Sequence, residues 1–257
     1  MANLRVSIAD APSGAETLAV SWITIGAPGL GVTSAAVARP DGVGPFPSLL
    51  LLHGSHGFAH EYVRLAHDLA RTGLLTVAAG WFREGIGNGV RFITPIVCPE
   101  MPPAPDPLSP PAMRTVDALL QALRTLPDAH QDRIGLFGHS RGGGAALNYL
   151  VRAGGVQAAV LNSARYPSQL IALAPKLSAP LLMLHGTADS LEDGGTEFTN
   201  IKMARDFERA ALESGKLVEA MYYEGGRHND IFDSSVRYHD VVRRMSAFLL
   251  RNLGACF

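Results

Sequence analysis

The chain has 257 residues, 47% hydrophobic and 18% charged, with 22 basic against 23 acidic side chains and a net charge of −1. A chain of this length buries about three quarters of its unfolded surface in one core, which argues against disordered, fibrous and repeat architectures. No charge run supplies the electrostatic footprint that nucleic acid or an anionic membrane would need.

The first 40 residues read as extended structure broken by Gly and Pro clusters: Leu4 to Ile8, Leu18 to Ile25 and Thr33 to Ala38. This is the pattern of an antiparallel sheet edge. From Ser48 the pattern changes to short, almost wholly apolar runs: Leu49 to Leu52, Leu74 to Ala78, Ile134 to Phe137, Val156 to Leu161, Leu181 to Leu184 and Val218 to Tyr223. Strands apolar on both faces belong to a parallel sheet covered by helices on each side. Helical periodicity falls between them. Tyr62 to Arg71, the stripe Val116, Leu119, Leu120 and Leu123, Gly142 to Arg152, Glu197 to Leu212, and the stripe from Val241 to Leu249 are the candidates. Alternation of strand and helix implies right-handed crossovers and one doubly wound, mostly parallel α/β sheet with antiparallel N-terminal strands. No repeat or linker divides it, so residues 1–257 read as a single domain. Eight of 17 prolines fall between Pro95 and Pro111, and this stretch reads as a stiff loop over the carboxyl ends of the strands, where ligands bind in open α/β sheets.

Two cysteines, Cys98 and Cys256, make neither a disulfide framework nor a metal-ligand spacing. The N-terminus lacks the apolar stretch of a signal peptide, and the longest apolar runs are too short to span a bilayer. A soluble cytoplasmic protein is the expectation.

The most informative segment is Ile134 to Gly144, which places Gly138-His139-Ser140-Arg141-Gly142 between an apolar strand and a Gly- and Ala-rich helix start. That is the context of a nucleophile elbow. The sharp turn holds the serine in strained geometry and leaves no room for side chains two positions away. The Arg141 N–H, at the helix N-terminus, becomes available to an oxyanion. Ser140 needs a base oriented by an acid, and in this arrangement they follow in the order serine, acid, histidine. Of nine histidines, only His228 and His239 come late enough; His228 lies in a turn straight after the last strand, whereas His239 falls in the final helix. Asp189 is the first carboxylate past the strand ending at Leu184, with Glu192 and Asp193 close behind. The second oxyanion donor is expected in His53-Gly54-Ser55-His56-Gly57, with the Ser55 N–H favoured and His56 the alternative. His53, His56 and His60 lack a convincing partner for metal, so no cofactor is expected.

These motifs resemble the α/β-hydrolase superfamily, and within it the dienelactone hydrolase-like branch of small serine esterases, over about Pro47 to Leu253. The resemblance rests on Leu51-Leu52-His53-Gly54, the elbow, His185-Gly186-Thr187-Ala188-Asp189 and Gly226-Arg227-His228. It implies hydrolysis of a small-molecule ester through an acyl-enzyme. Dienelactone hydrolases themselves carry a cysteine nucleophile and an acidic residue where this chain has Ser140 and Gly54, which loosens the link to lactones. Alternatives using the same residues are a lactonase, a small peptidase or a perhydrolase; from a different class, the fold could serve as a silent binding protein. Trp81, Phe82, Phe92, Ile93, Asn162 and Tyr166 follow strand ends and are candidates for an apolar pocket, and Arg141 or Arg83 for contact with a substrate carboxylate. Nothing in the sequence fixes the oligomeric state.

Overall fold

The computed structural model describes residues 4–12, 18–27, 30–85, 93–192 and 194–254. Asp193, Phe92 and Cys256 therefore lie outside the described residues. Three strands open the chain, β1 (Arg5–Ala9), β2 (Ser21–Ala27) and β3 (Gly31–Ala38). Then follow β4 (Phe46–Leu52), α1 (His60–Ala70), β5 (Leu75–Ala79), α2 (Pro110–Arg124), β6 (Ala129–His139), α3 (Arg141–Arg152) and β7 (Ala158–Asn162). The last third supplies α4 (Ser168–Ile171), β8 (Leu181–Gly186), α5 (Ile201–Glu213), β9 (Val218–Tyr223), α6 (Asp230–Asp233) and α7 (Ser235–Asn252).

The nine strands of the described residues join one sheet in the order β1-β2-β3-β5-β4-β6-β7-β8-β9. Pairing is antiparallel from β1 through β3 to β5 and parallel from β5 to β9. The central strands are buried on both faces, as their unbroken apolar runs require: every residue of β5, β7 and β8 is inaccessible, and so is β4 beyond Phe46. Helices α1 and α7 pack against each other on one face, and α2, α3 and α5 cover the other.

From β4 the chain moves outward to β5 on one side, and it then returns to place β6 on the other. The loops after β4 and β6 thus diverge and open a crevice at the carboxyl edge, the place where open α/β sheets bind ligands.

Strand and helix ends shift by a few residues from the sequence pattern, β6 starting at Ala129 and β2 running over Ser21–Ala27, and two of the differences have a clear local cause. The segment from Glu197 to Leu212 is not one helix: a 3-10 turn over Glu197–Thr199 is capped by Thr196, and α5 starts afresh where the Asn200 side chain accepts the Lys202 N–H at 2.8 Å. The proline-rich loop ends at Ser109, not 111, because Pro110 and Pro111 occupy the first turn of α2, where a missing N–H costs nothing. Along its length it is tied to strand-end loops: Ile96 N–H donates to Phe58 O at 2.8 Å, Arg83 N–H to Pro102 O at 2.9 Å, and Arg141 Nη1 to Pro105 O at 2.7 Å.

Candidate active site

Ser140 sits at the end of β6 with φ 52° and ψ −112°, a left-handed conformation rare for a residue with a side chain. Such a geometry costs of order 1–3 kcal/mol and persists only where the surroundings enforce it. Here the enforcement is backbone packing. A Cβ on Gly138 would lie 2.6 Å from Gly142 C, and one on Gly142 would lie 2.6 Å from His53 O, so helix α3 can turn tightly against β4 and β6 only with both glycines. The Ser140 N–H donates to Asn162 O at 3.0 Å, which anchors the turn to β7.

Two further strand ends converge on the serine. Its hydroxyl lies 2.9 Å from His228 Nε2, and His228 Nδ1–H donates to Asp189 Oδ2 at 2.7 Å. Asp189 Oδ1 accepts the Thr199 hydroxyl at 2.9 Å, and His185 Nε2 stands 3.4 Å from Oδ2 while donating to Thr199 O at 2.6 Å. The loops carrying Asp189 and His228 are joined through backbone, since Thr187 N–H donates to Tyr223 O at 3.0 Å and Ala188 N–H to Gly226 O at 2.9 Å. Glu192 and His239, the weaker alternatives, are exposed, and His239 rides on α7.

The loop after β4 faces the serine. A Cβ on Gly54 would lie 2.8 Å from His139 Cδ2 and 3.3 Å from Ser140 Cβ, so no side chain fits at this position. Tyr62 Oη accepts the Gly54 N–H at 2.8 Å, and its own proton then points to His56 Nε2, also at 2.8 Å. Among the described residues the N–H groups of Ser55 and His56 have no hydrogen-bond partner. Ser55 Oγ accepts from Arg141 Nε at 3.2 Å, so the Arg141 side chain straps the loop after β4 and the proline-rich loop to the elbow.

The strongest feature missed by sequence reasoning is a cluster of buried imidazoles. His53, His139, His185 and His228 are buried around the elbow and the base, and His56 beside them is half-buried. Burial pushes His53 and His139 down to about 3, and it lowers His56 and His185 as well. His53 Nδ1 donates to Gly54 O at 3.0 Å and its Nε2 accepts the Trp81 N–H at 3.1 Å, which makes it a scaffold for Trp81 and Phe82. Those two aromatics and Tyr166 are fully buried and form packing rather than an open pocket wall. Asn162 supports the elbow, and Arg83 Nε donates to Met101 O at 3.1 Å. Cys98 is buried with its sulfur 3.4 Å from the Thr33 hydroxyl. Among the described residues no group of three His, Cys, Asp or Glu side chains is placed to hold a metal ion, and no helix is long and apolar enough to cross a membrane.

A nine-stranded mixed sheet with an elbow serine after a central strand defines the α/β-hydrolase fold, and solved structures agree. A Klebsiella pneumoniae protein described as a dienelactone hydrolase superposes with a TM-score of 0.64 at 17% identity, covering 99% of this chain and 100% of that one. A Pyrococcus furiosus esterase gives 0.65 at 14%, covering 98% and 94%. The Pyrococcus horikoshii acylaminoacyl peptidase gives 0.64 at 16%, covering 98% of this chain but 42% of the longer peptidase. In sequence, a Methylorubrum extorquens protein named as a carboxymethylenebutenolidase is 28% identical over 208 residues, 77% of this chain and 68% of that protein. The dienelactone hydrolase family model matches residues 33–242, and the chain belongs to that family of hydrolases.

Proposed function

We propose that this protein is a single-domain serine hydrolase of carboxylic esters, with Ser140 as nucleophile, His228 as base and Asp189 as the acid that orients it. The observation that carries the reading is the unbroken line of hydrogen bonds from Ser140 Oγ through His228 to Asp189, 2.9 and 2.7 Å long. Because the Ser140 proton faces His228 Nε2, the imidazole accepts it as the oxygen attacks an ester carbonyl. Asp189 keeps the proton on Nδ1, so that Nε2 is free to act, and stabilises the imidazolium that forms. The tetrahedral oxyanion then takes hydrogen bonds from the Arg141 N–H, first of helix α3, and the Ser55 N–H. His228 returns the proton to the departing alcohol, and water, activated by the same base, releases the acid.

A small-molecule ester suits an enzyme of this size, and a lactone is the cyclic case of the same bond. The carboxymethylenebutenolidase name of the relative keeps lactones among the substrates to be tried. The test is a rate screen over p-nitrophenyl esters of increasing acyl length, aryl esters and lactones. Ser140→Ala should lose about 10³-fold or more in kcat on every substrate turned over. A Ser140→Ala protein that hydrolyses p-nitrophenyl acetate at the wild-type rate would overturn the reading.

A further inference from the structure

The nucleophile elbow and the base loop are bridged by one buried side chain that the proton-transfer scheme does not use. His139, directly before Ser140, is fully buried. Its Nδ1 lies 2.8 Å from Asn162 Oδ1, and its Nε2 lies 3.1 Å from Asn229 Oδ1, 90 positions away. Both partners adjoin the reacting pair: Asn162 receives the Ser140 N–H on its carbonyl, and Asn229 directly follows His228.

The ring cannot turn out of this bridge. Phe232 packs edge-on against it with centroids 5.3 Å apart, His56 lies 5.6 Å away on another side, and Gly54 closes to a distance that excludes even a methyl group. Burial, with the nearby His228, pushes His139 down to about 3, so it is neutral wherever the enzyme works. A neutral imidazole offers one N–H and one lone pair, so it satisfies both amides with one of them turned to present its NH2 in place of the oxygen. The bridge is therefore directional and adds no charge beside the base.

Asp189 restrains His228 from the β8 side only, through Nδ1. The base loop's main chain is tied to the turn at Thr187 and Ala188, to Asp230 and to Arg237, and the His139–Asn229 contact joins it to the elbow. We propose that His139 is a positioning residue which, through Asn229, sets the reach of His228 Nε2 to the Ser140 hydroxyl. This rests on the serine-hydrolase reading above. It predicts that the bridge acts on the chemical step and leaves substrate binding alone, because both amides are buried and engaged with the His139 ring.

The experiment measures kcat and KM on p-nitrophenyl acetate, and the rate at which a fluorophosphonate labels Ser140, in wild type, His139→Phe, Asn229→Ala, the double variant and His139→Gln. A displacement of about 1 Å at a proton-transfer pair is worth up to about 100-fold. His139→Phe and Asn229→Ala should each lower kcat by about 10- to 100-fold with KM within about twofold, and labelling should slow in parallel. The double variant should be no slower than the worse single, because one bridge is being cut twice. His139→Gln, which keeps a donor and an acceptor, should recover part of the loss. If His139→Phe does not fold, Asn229→Ala and His139→Gln decide the matter. An Asn229→Ala protein at the wild-type rate, or losses that multiply in the double variant, would overturn the proposal and leave the triad standing. A wild type that neither turns over nor labels overturns both.

Discussion

Replacing His53 by glutamine should make the protein less sensitive to acid. His53 is solvent-excluded, and burial, the dominant effect, holds it at about 3 against an ordinary value of 6.5. Its folded form therefore stays neutral as pH falls from 7 to 5, while the unfolded chain takes up a proton on the same residue. The stability this group contributes is present above the unfolded value of 6.5 and is lost as pH falls from there toward 3. Integrating the proton difference over pH 7 to 5 gives about 2 kcal/mol from this one residue. For a chain of this size that is roughly 4–8 °C in Tm. Glutamine can donate to Gly54 O and accept the Trp81 N–H, the two bonds His53 makes, without a titrating group. Thermal melts of wild type and His53→Gln at pH 7 and pH 5 give the comparison, and the drop in Tm on acidification should be smaller in the variant by about that amount. Equal drops would mean that His53 carries no such penalty and that its burial has been misjudged. His139, held down in the same way, adds a similar acid-sensitive contribution to both proteins and cancels from the difference.

Three other outcomes follow from the site. Asp189→Asn should keep the fold but lower kcat by about 10⁴-fold with little change in KM, since the imidazole loses the partner that fixes its tautomer; stopped-flow hydrolysis of p-nitrophenyl acetate reads this directly. Gly54→Ala should cost about 1–3 kcal/mol of stability and also slow catalysis, because the new methyl group pushes on both His139 and Ser140; a melt and a kcat measurement on one preparation check both. Arg141→Met removes the strap from Ser55 and Pro105, so limited proteolysis should cut within residues 95–109 faster than in wild type, and equal cutting would show that the strap does not hold the loop.

Much of the architecture was legible because it depends on local pattern. The apolar runs at 49–52 and 181–184 each fall within a strand, since only residues buried on both faces can be so uniformly apolar, whereas the run at 218–223, with Glu219 in it, forms the partly buried edge strand β9. The elbow was legible for a different reason: Gly138 and Gly142 are demanded by backbone contacts within a few residues and against the neighbouring strand. The imidazole cluster was not, because what makes His139 structural is an amide 23 positions ahead and another 90 ahead, and no local spacing encodes either. Trp81, Phe82 and Tyr166 look like pocket walls when read as loop aromatics after strand ends. In space His53, at the end of the neighbouring strand β4, supplies the surface on which the first two pack. The break at Asn200 was present in the sequence as a capping residue, but the apolar periodicity runs across it and masks it.

The central claim is that Ser140 is the activated nucleophile, and it is tested most directly by mass spectrometry after exposure to a fluorophosphonate. The account predicts one adduct, on the peptide containing Ser140, formed in step with loss of esterase activity and absent from Ser140→Ala and strongly slowed in His228→Ala. An unlabelled Ser140, or an adduct on another residue that tracks the loss of activity, would contradict it.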